Sequence, residues 1–353
     1  MKKIKLAMIG AGNIANVHLR SYAKLDNVEL YAACDINESR LNETCDLFGI
    51  ERRFTDVDQM LAQLPELDAA DVCVWNCSHA SCTIKALNAG LHVLCEKPMA
   101  YSAKEAEEMK AAAEANGKLL MIGFVLRFSN ETKITKDFID QGYLGDIYYS
   151  KDQYVRRHGN PGGWFGNKTL SGGGPIIDLG VHVIDQTRYL MGNPKPVSVY
   201  AVAGDKLGNR PYLKNGVDWQ PKDAKPTDVC DVEDFATALI RYDNGACTLL
   251  ETAYDINGKD LAGKMLFGTK GGIDLSDGVK IFGEYNDFLA DIRVETKNYV
   301  GQGNHFDLEM AHFIDCIVNG TACKATAEDG IVVMKILDAI YESARTGHEV
   351  ILD

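Results

Sequence analysis

The sequence predicts an α/β protein of two domains: a doubly wound parallel sheet, then an α+β domain with a large, mostly antiparallel open sheet. Short apolar strand patterns alternate with helical patterns up to residue 123, which is typical of a parallel sheet. Longer strand patterns with alternating polarity follow. A chain of 353 residues is long enough for two hydrophobic cores. We therefore expect one domain over residues 1–123 and a second over residues 124–353.

The elements of the first domain follow one another in a regular order. The predicted strands are residues 4–9, 28–34, 71–75, 92–95 and 119–122. The predicted helices are residues 13–25, 38–48, 57–63, 80–89 and 102–116. Ser102 followed by Glu105 resembles a capping box, and Gly117 stands where a left-handed cap is expected, so both ends of the last helix carry a signal.

The second domain has fewer helices. It begins with a predicted helix, residues 131–141, and two further helices, residues 305–318 and 326–346, close the chain. Its clearest strand patterns are residues 146–157, 235–242 and 247–255. The polar segment 204–228 is too long for a plain connection, and we expect it to fold over the site or to form an oligomer contact.

A glycine turn joins the first strand to the first helix. Gly10 permits a tight turn, Gly12 lets the backbone approach a pyrophosphate, and the small Ala15 lets the helix pack on the strand. The helix starting at Asn13 and Ile14 directs amide groups and the positive end of its dipole at the phosphates. An incidental turn is the alternative, but the context favours a dinucleotide-binding Rossmann domain.

An acidic residue, Asp35, follows the second strand about 20 residues after the turn. A carboxylate there can accept hydrogen bonds from both ribose hydroxyls, and it repels a phosphate esterified at the same place. We therefore expect NAD as the cofactor, with NADP less favoured. Arg40 lies close enough to moderate that repulsion, although a solvated position on the next helix explains it equally well.

Composition excludes several classes of protein. The net charge of −13 and the lack of a basic stripe argue against a nucleic-acid partner. The ten scattered cysteines indicate a reduced, intracellular protein. Cys73, Cys77 and Cys82 form the one local cluster, but they lack zinc-site spacing, so we expect buried thiols and no metal.

The N-terminal apolar run imitates a secretory signal. Its glycines and Asn13 fit the nucleotide turn better, and no other stretch approaches the length of a membrane span. We expect a cytoplasmic protein with no membrane partner.

Ligands of open parallel sheets bind beyond the carboxyl ends of the strands. Asn76 and His79 follow one strand, where the ribose of nicotinamide would pass; Glu96 and Lys97 follow the next, and Arg127 follows the last. An ammonium group avoids interiors unless it is paired, so packing explains Lys97 poorly. The alternative for Lys97 is a surface pair with Glu96.

Three glycines, residues 172–174, open a predicted helix in which Asp178 and His182 are four residues apart and face the same way. A helix beside a flexible glycine run can press close to a ligand, and an acid aligned with an imidazole forms a proton-transfer pair. The alternative is that Asp178 caps the helix or is solvated, and that His182 is a core residue whose hydrogen bonds are made within the protein. Before them, Arg156 and Trp164 offer a donor and an aromatic face to a sugar, although a surface ion pair explains the arginine equally well.

The motifs GAGNIA, AGLHVLCEKPMA, GGGPIIDLGVHVIDQTRYLMG and DGIVVMKILDAIYESARTGHEV together resemble those of the Gfo/Idh/MocA oxidoreductases, and the resemblance covers essentially the whole chain. It implies a catalytic trio of Lys97, Asp178 and His182 beside bound NAD. The sequence departs from the family pattern at Trp75, Val125, Leu126 and Phe165. These departures lie around the expected pocket, so they leave open which substrate is bound.

The resemblance implies an NAD-dependent sugar or polyol dehydrogenase that acts on a CH–OH group of a hexose, glucoside or inositol. His182 would be the base, Lys97 would bind the reacting oxygen, and Asp178 would orient the imidazole or a substrate hydroxyl. Arg127, Arg156 and Trp164 would complete the substrate site. The alternatives are a glycoside-cleaving enzyme that oxidises its sugar transiently with bound NAD, and a non-catalytic NAD-binding sugar sensor. We expect a homodimer or homotetramer formed through the sheet of the second domain.

Overall fold

The computed structural model describes residues 3–296, 299 and 303–352. The chain forms two compact units. The first comprises the chain up to Phe128 together with residues 303–334, and the second comprises the intervening segment from Ser129 and the C-terminal part from Lys335. Among the described residues, none of the helices is both long enough and apolar enough to cross a lipid bilayer.

The regular elements are numbered in chain order. The strands are β1 (Ile4–Ile9), β2 (Val28–Cys34), β3 (Arg52–Phe54), β4 (Ala69–Val72), β5 (His92–Glu96), β6 (Leu120–Gly123), β7 (Ile147–Val155), β8 (Pro196–Gly204), β9 (Phe235–Tyr242), β10 (Cys247–Ala253), β11 (Leu261–Gly268), β12 (Gly271–Asp274), β13 (Lys280–Tyr285), β14 (Phe288–Arg293) and β15 (Val350–Ile351). The helices are α1 (Asn13–Tyr22), α2 (Glu38–Phe48), α3 (Val57–Gln63), α4 (His79–Asn88), α5 (Ala103–Asn116), α6 (Asn130–Asp140), α7 (Lys168–Ser171), α8 (Val181–Leu190), α9 (His305–Asn319) and α10 (Ala327–Thr346).

The first unit contains a six-stranded sheet in the order β3-β2-β1-β4-β5-β6, and all neighbours are parallel. The order reverses beside β1, so the switch point where such sheets bind ligands lies between β1 and β4. The strands β4 and β6 are buried along their whole length, as expected for a sheet covered on both faces. The predicted doubly wound sheet is confirmed. In this sheet, β3 is the one strand without a strand pattern in the sequence, because it is short and begins with two exposed arginines.

The second unit contains a nine-stranded sheet in the order β14-β13-β12-β11-β7-β10-β9-β8-β15. The central neighbours β7 and β10 are parallel, and the other neighbours are antiparallel. Buried and exposed residues alternate along β9, so one face of the sheet packs on the core. Helix α8 packs against β7 and α6 on that buried side. The predicted open, mostly antiparallel sheet is confirmed.

The two compact units are not single continuous stretches of the chain. The turn Val125–Phe128 stays with the first unit, and residues 303–334 return to it. At the edge of the parallel sheet, the amide of Ile122 donates a hydrogen bond to the carbonyl oxygen of Ala325 (2.9 Å). Such contacts join residues that are far apart in the chain, so no local sequence pattern predicts them.

Candidate functional site

The turn between β1 and α1 is shaped by its glycines. Gly10 has a φ of +99°, and a Cβ there would lie 2.3 Å from the carbonyl oxygen of Cys73, so only glycine fits. A Cβ on Gly12 would meet open space, with no atom within 4 Å. No side chain of the described residues caps α1, which begins at the exposed Asn13 and the half-buried Ile14. The turn therefore offers amide groups and a positive dipole end to an anion.

Asp35 lies directly after β2 and is half-buried. One carboxylate oxygen accepts a hydrogen bond from the Ala11 amide (2.8 Å), and the other accepts one from the Asn37 amide (2.7 Å). A carboxylate has about four acceptor positions, so each oxygen keeps one lone pair for a ribose hydroxyl. Arg40 is half-buried in the first turn of α2, where its amide donates to the capping Asn37 side chain (3.0 Å).

Asn76 and His79 lie after β4, and both are buried. The ring nitrogens of His79 lie 2.7 Å from the carbonyl oxygen of Pro98 and 3.2 Å from that of Val74. Burial lowers the pKa of His79, so the neutral ring donates to one of these two carbonyls. The imidazole thus supports the loop that carries Lys97, and its contact with the cofactor stays a prediction.

Lys97 follows β5 and is the one partly accessible residue between Val93 and Ala100. Its amide donates to the Glu96 carboxylate (3.1 Å), and Glu96 is only 6% exposed. A Cβ on Gly123 would lie 2.9 Å from Oε1 of Glu96, so the end of β6 must be glycine to leave room for this carboxylate. Because Glu96 is buried, a pair between Lys97 and Glu96 would not be an exposed surface pair.

Sequence reasoning missed His18, which lies behind Glu96 and is fully buried. Its Nδ1 lies 2.9 Å from Asp71, and its Nε2 lies 3.1 Å from Oε1 of Glu96. Burial lowers the pKa of His18, but the negative charge of Asp71, together with Cys73, outweighs burial and holds that pKa well above its ordinary value. An imidazolium therefore bridges two carboxylates beneath the loop of Lys97. The available signals were a histidine on the buried face of α1 and an aspartate inside an apolar strand.

Arg127 is 2% exposed and lies inside the first unit. Its guanidinium pairs with Asp329 (2.9 Å), donates to the carbonyl oxygen of Lys324 and lies 5.3 Å from the Phe124 ring centroid. These contacts fasten the returning segment 303–334 to the turn after β6. They give Arg127 a structural role, and its contact with the substrate stays a prediction.

In the second unit, Asp178 and His182 are partly accessible to solvent in a segment that is otherwise buried. Between residues 173 and 188 they are the only two that are not buried. Asp178 lies in a π-helical turn, Ile176–Gly180, which leads directly into α8, and His182 lies in the first turn of α8. Turns of this kind occur frequently at functional sites. One otherwise buried helical segment thus presents an acid and an imidazole.

Two of the glycines before this segment lie against other groups of the protein. A Cβ on Gly173 would lie 1.8 Å from the hydroxyl oxygen of Tyr341, and one on Gly174 would lie 2.5 Å from the carbonyl oxygen of Glu233. The Glu233 carboxylate accepts hydrogen bonds from the amides of Gly174 (3.1 Å) and Ile176 (3.2 Å). It also accepts one from Tyr341 (2.9 Å). Gly173 and Gly174 therefore leave room for Tyr341 and Glu233, and the Glu233 carboxylate caps the helical segment.

Asp178 has charged and aromatic neighbours within its own unit. Burial and then the negative charge of Asp178 raise the pKa of the buried Tyr254 well above its ordinary value. The Arg156 guanidinium donates to the hydroxyl of Tyr154 (3.2 Å) and to the carbonyl oxygen of Gly159 (3.2 Å). Burial lowers the pKa of Arg156, but Tyr154 and Asp178 outweigh it and raise that pKa. Arg156 thus lies within electrostatic reach of Asp178.

Trp164 belongs to a cluster of three aromatic rings. Its ring centroid lies 4.0 Å from that of Phe165, and Phe165 meets Trp219 edge-on at 5.4 Å. Trp219 comes from the long segment between β8 and β9 and is 44% exposed. The predicted sugar-stacking residue is therefore part of a larger, accessible aromatic surface.

A buried ion pair fixes α8 to the sheet. Lys264 lies 3.3 Å from the Asp152 carboxylate and donates to the carbonyl oxygen of Val183 (2.9 Å). The hydroxyl of Thr187 donates to Asp152 (2.6 Å). Burial raises the pKa of Asp152 and lowers that of Lys264, although each charge partly offsets the effect on the other. The residue next to His182 is therefore held to the sheet, which gives the imidazole a fixed support.

Comparison with known proteins agrees with this geometry. Residues 4–124 match an oxidoreductase-family model described as an NAD-binding Rossmann fold, and residues 136–352 match the C-terminal alpha/beta domain of the same family. D-glucoside 3-dehydrogenase of Escherichia coli (strain K12) is 32% identical over 351 residues, which cover 98% of this chain and 97% of that protein. Levoglucosan dehydrogenase of Pseudarthrobacter phenanthrenivorans is 25% identical over 382 residues, covering 98% of this chain and 97% of that protein.

A solved structure is similar over its full length. Aldose-aldose oxidoreductase from Caulobacter crescentus, crystallised with glycerol, has a TM-score of 0.82 and 26% identity, covering 99% of this chain and 100% of that one. Both domains, their order and their length thus agree with one family. The chain, with its NAD-binding Rossmann domain and its C-terminal α/β domain, belongs to the Gfo/Idh/MocA oxidoreductases.

Proposed function

We propose that this chain is an NAD-dependent dehydrogenase that transfers hydride between a secondary alcohol of a sugar, glycoside or polyol and nicotinamide. One observation carries the proposal: Lys97 in one unit, and Asp178 with His182 in the other, are accessible ionisable residues in otherwise buried segments. Ionisable groups kept accessible in this way are candidates for chemistry. Membership of the family supplies the reaction class.

The residues of the first unit fit a dinucleotide. Open space beside Gly12 suits a pyrophosphate, and the remaining acceptor positions of Asp35 suit a ribose diol. When it is bound, NAD supplies the hydride acceptor. Asn13 and Ile14, whose amides begin α1, would bind phosphate, and Asn76 would lie along the nicotinamide ribose.

The proposed roles of the remaining residues follow from their chemistry. His182 takes the proton from the substrate hydroxyl as general base. Lys97 donates a hydrogen bond to the same oxygen and stabilises the negative charge that develops there. Asp178 orients the imidazole or a neighbouring hydroxyl, and Arg156 with Trp164 holds the sugar. Reversing each role gives ketone reduction.

A substrate panel tests this function. Glucosides come first, because the E. coli relative is named for a glucoside, and free hexoses, inositols and anhydrosugars follow. We expect NADH to appear with at least one of them, and no free sugar to be released from a glycoside. Free sugar without net NADH would support the glycoside-cleaving alternative. Binding of NAD and sugar without either product would support the sensor.

Changing Asp35 to Asn is expected to relax the choice of cofactor. The amide has one acceptor oxygen, which keeps one of the hydrogen bonds from the Ala11 and Asn37 amides, and it loses the charge that repels a 2′-phosphate. A charge-assisted hydrogen bond is worth about 1.5–3 kcal/mol, so kcat/KM for NAD should fall by about 10–100-fold while the NADP to NAD ratio rises. Initial rates with both cofactors measure this. An unchanged ratio would remove Asp35 from the ribose site.

We also propose that the chain forms a homodimer or homotetramer through the outer face of its nine-stranded sheet. Tyr200 of β8 and Leu239 of β9 are paired across the strands, and they are 48% and 41% exposed. Nearby on the same sheet, Tyr149 and Phe267 stack with ring centroids 5.1 Å apart. Partly exposed apolar residues on one sheet, beside the ion pair of Lys151 with Glu251, suit an interaction site.

An arginine at the centre of this face should prevent association. Leu239→Arg is expected to shift the protein to a smaller species in light scattering coupled to size exclusion, because an unpaired charge would be buried in the interface. Leu47→Arg is the matched control, since Leu47 is an exposed leucine of α2 (61%) outside the sheet. Equal masses for the two variants and the wild type would contradict the proposed interface.

A further inference from the structure

Two clusters of metal-binding side-chain types occur in the part of the chain that the structure describes. In the first, His18 is fully buried and already bridges Asp71 and Glu96, so that cluster is a closed ion network. The second comprises His312, Cys316 and Cys323, whose ligand atoms all lie within 4.8 Å of one another. No role in the proposed dehydrogenase reaction accounts for the second cluster.

We propose that His312, Cys316 and Cys323 form a binding site for a thiophilic divalent ion of the Zn²⁺ class, with water as the fourth ligand. The expectation of no metal was drawn from Cys73, Cys77 and Cys82 and did not consider this group. The inference is independent of the proposed dehydrogenase activity.

The geometry of the cluster suits a tetrahedral ion. His312 and Cys316 lie one turn apart on α9, and Cys323 returns to them from the connection to α10. Nε2 of His312 lies 3.4 Å from Sγ of Cys316. Ligand bonds of about 2.0–2.1 Å to nitrogen and about 2.3 Å to sulfur, at a tetrahedral angle, place these two atoms about 3.5 Å apart. His312 and Cys316 therefore need little movement, and the sulfur of Cys323 lies within 4.8 Å of both ligand atoms.

Binding of the same ion would be coupled to the loss of the thiol protons. Burial and then the positive charge of Lys324 lower the pKa of His312, so the ring is in its neutral, ligating form. Burial raises the pKa of Cys316, and it raises that of Cys323 to about 12, so both remain thiols in the absence of a metal. A divalent cation that displaces both thiol protons forms a complex with no net charge, which a half-buried place tolerates.

The charged groups around the cluster nearly balance. Arg127 and Lys324 are the neighbouring cations, and Asp315 and Asp329 are the neighbouring anions. Neither sign dominates, so the surroundings do not repel a dication. The selectivity would come from the sulfur and nitrogen ligands, which suit Zn²⁺ far better than Mg²⁺ or Ca²⁺.

Binding has to replace one ordinary hydrogen bond and one weak thiol contact. Nε2 of His312 accepts a hydrogen bond from the Lys324 amide (3.0 Å), and the Cys323 thiol donates to the carbonyl oxygen of Ala325 (3.4 Å). The amide can turn to water, and thiol hydrogen bonds are weak. Metal coordination by two thiolates and an imidazole is much stronger than either contact. The ion would clamp the connection after α9 to the helix itself.

The test uses the full-length protein, stripped with a chelator and kept reduced. Zn²⁺ is titrated against a chromophoric competitor, and Co²⁺ is added separately to record thiolate-to-cobalt charge-transfer absorption. Cys316→Ser, Cys323→Ser and His312→Gln are compared with the wild type. Cys82→Ser/Cys247→Ser is the matched control, because these two cysteines are also partly accessible but lie elsewhere. Circular dichroism verifies the fold of each variant.

We expect one equivalent of Zn²⁺ to bind the wild type and the control, with the cobalt signature of thiolate ligands. Each ligand variant should bind at least about 100-fold more weakly, since even loss of an outer-shell partner costs about 10–100-fold. Zn²⁺ should also raise the melting temperature of the wild type and the control but not of the ligand variants. No stoichiometric binding, binding that survives in all three ligand variants, or a Cys316–Cys323 disulfide under these conditions would overturn the proposal.

Discussion

Replacing His182 with alanine is expected to lower kcat by about 10²–10⁴-fold, because a positioned general base contributes about that much to proton transfer. Replacing Lys97 with alanine should cost about 10²–10³-fold, the usual loss when one donor to a developing oxyanion is removed. Steady-state rates with the best substrate of the panel measure both. Titration of NADH fluorescence should show that both variants still bind the cofactor.

The double variant Lys97→Ala/His182→Ala tests whether the two groups act on the same oxygen. Residues that work as a unit are strongly non-additive, so the double variant should lose far less than the product of the two single losses. His348→Ala is the matched control, because His348 is exposed and lies near the C-terminus, and it should leave turnover unchanged. Full turnover in either single variant, or strictly multiplicative losses, would contradict the proposed mechanism.

Replacing His18 with alanine is expected to reduce the free energy of unfolding by about 3–5 kcal/mol. The change removes the cation between two buried carboxylates, and breaking a buried ion pair from one side costs about this much. His18→Gln should lose less, because its amide can still donate to Asp71 or Glu96. Urea denaturation followed by circular dichroism measures both variants. A loss of under about 1 kcal/mol for the alanine variant would be the size expected of a surface site and would argue against the bridge.

The same bridge predicts how stability depends on pH. The pKa of His18 is raised in the folded state, so the folded protein keeps a proton that the unfolded chain releases above about pH 6.5. The stabilisation is therefore fully present below that value and is lost as pH rises through the raised pKa. The denaturation midpoint of the wild type should fall with pH over this window, and the slope should be smaller in His18→Gln. Equal slopes would show that another group carries the dependence.

Much of the fold is readable because its signals are local. The glycine turn after β1, the caps at Ser102 and Gly117, and the alternation of α2 and β2 each depend on residues within one turn or strand. The boundaries of β1, β2, α2 and α3 were predicted at the observed residues. The spacing of Asp178 and His182 likewise predicted that one segment presents both.

The rest depends on contacts between distant residues. Three examples are the bridge of His18 with Asp71 and Glu96, the cap that Glu233 forms on the Gly174 amide, and the hydrogen bond from Lys264 to the Val183 carbonyl oxygen. Each joins parts of the chain that lie far apart, so no short sequence pattern predicts it. The glycine run shows the limit clearly. Three small residues indicate a close approach, but not that the approaching atoms belong to Tyr341 and Glu233.

The return of residues 303–334 to the first unit has a consequence for biosynthesis. A nascent chain that ends at Phe128 already contains every strand of the parallel sheet. The outer side of β6 still lacks the Ala325 carbonyl oxygen, to which the Ile122 amide donates a hydrogen bond in the folded protein. An unsatisfied strand edge is a template for pairing with other chains. Release of a fragment ending there should therefore yield aggregates, and maturation of the nucleotide-binding half has to wait until residues 303–334 have left the ribosome.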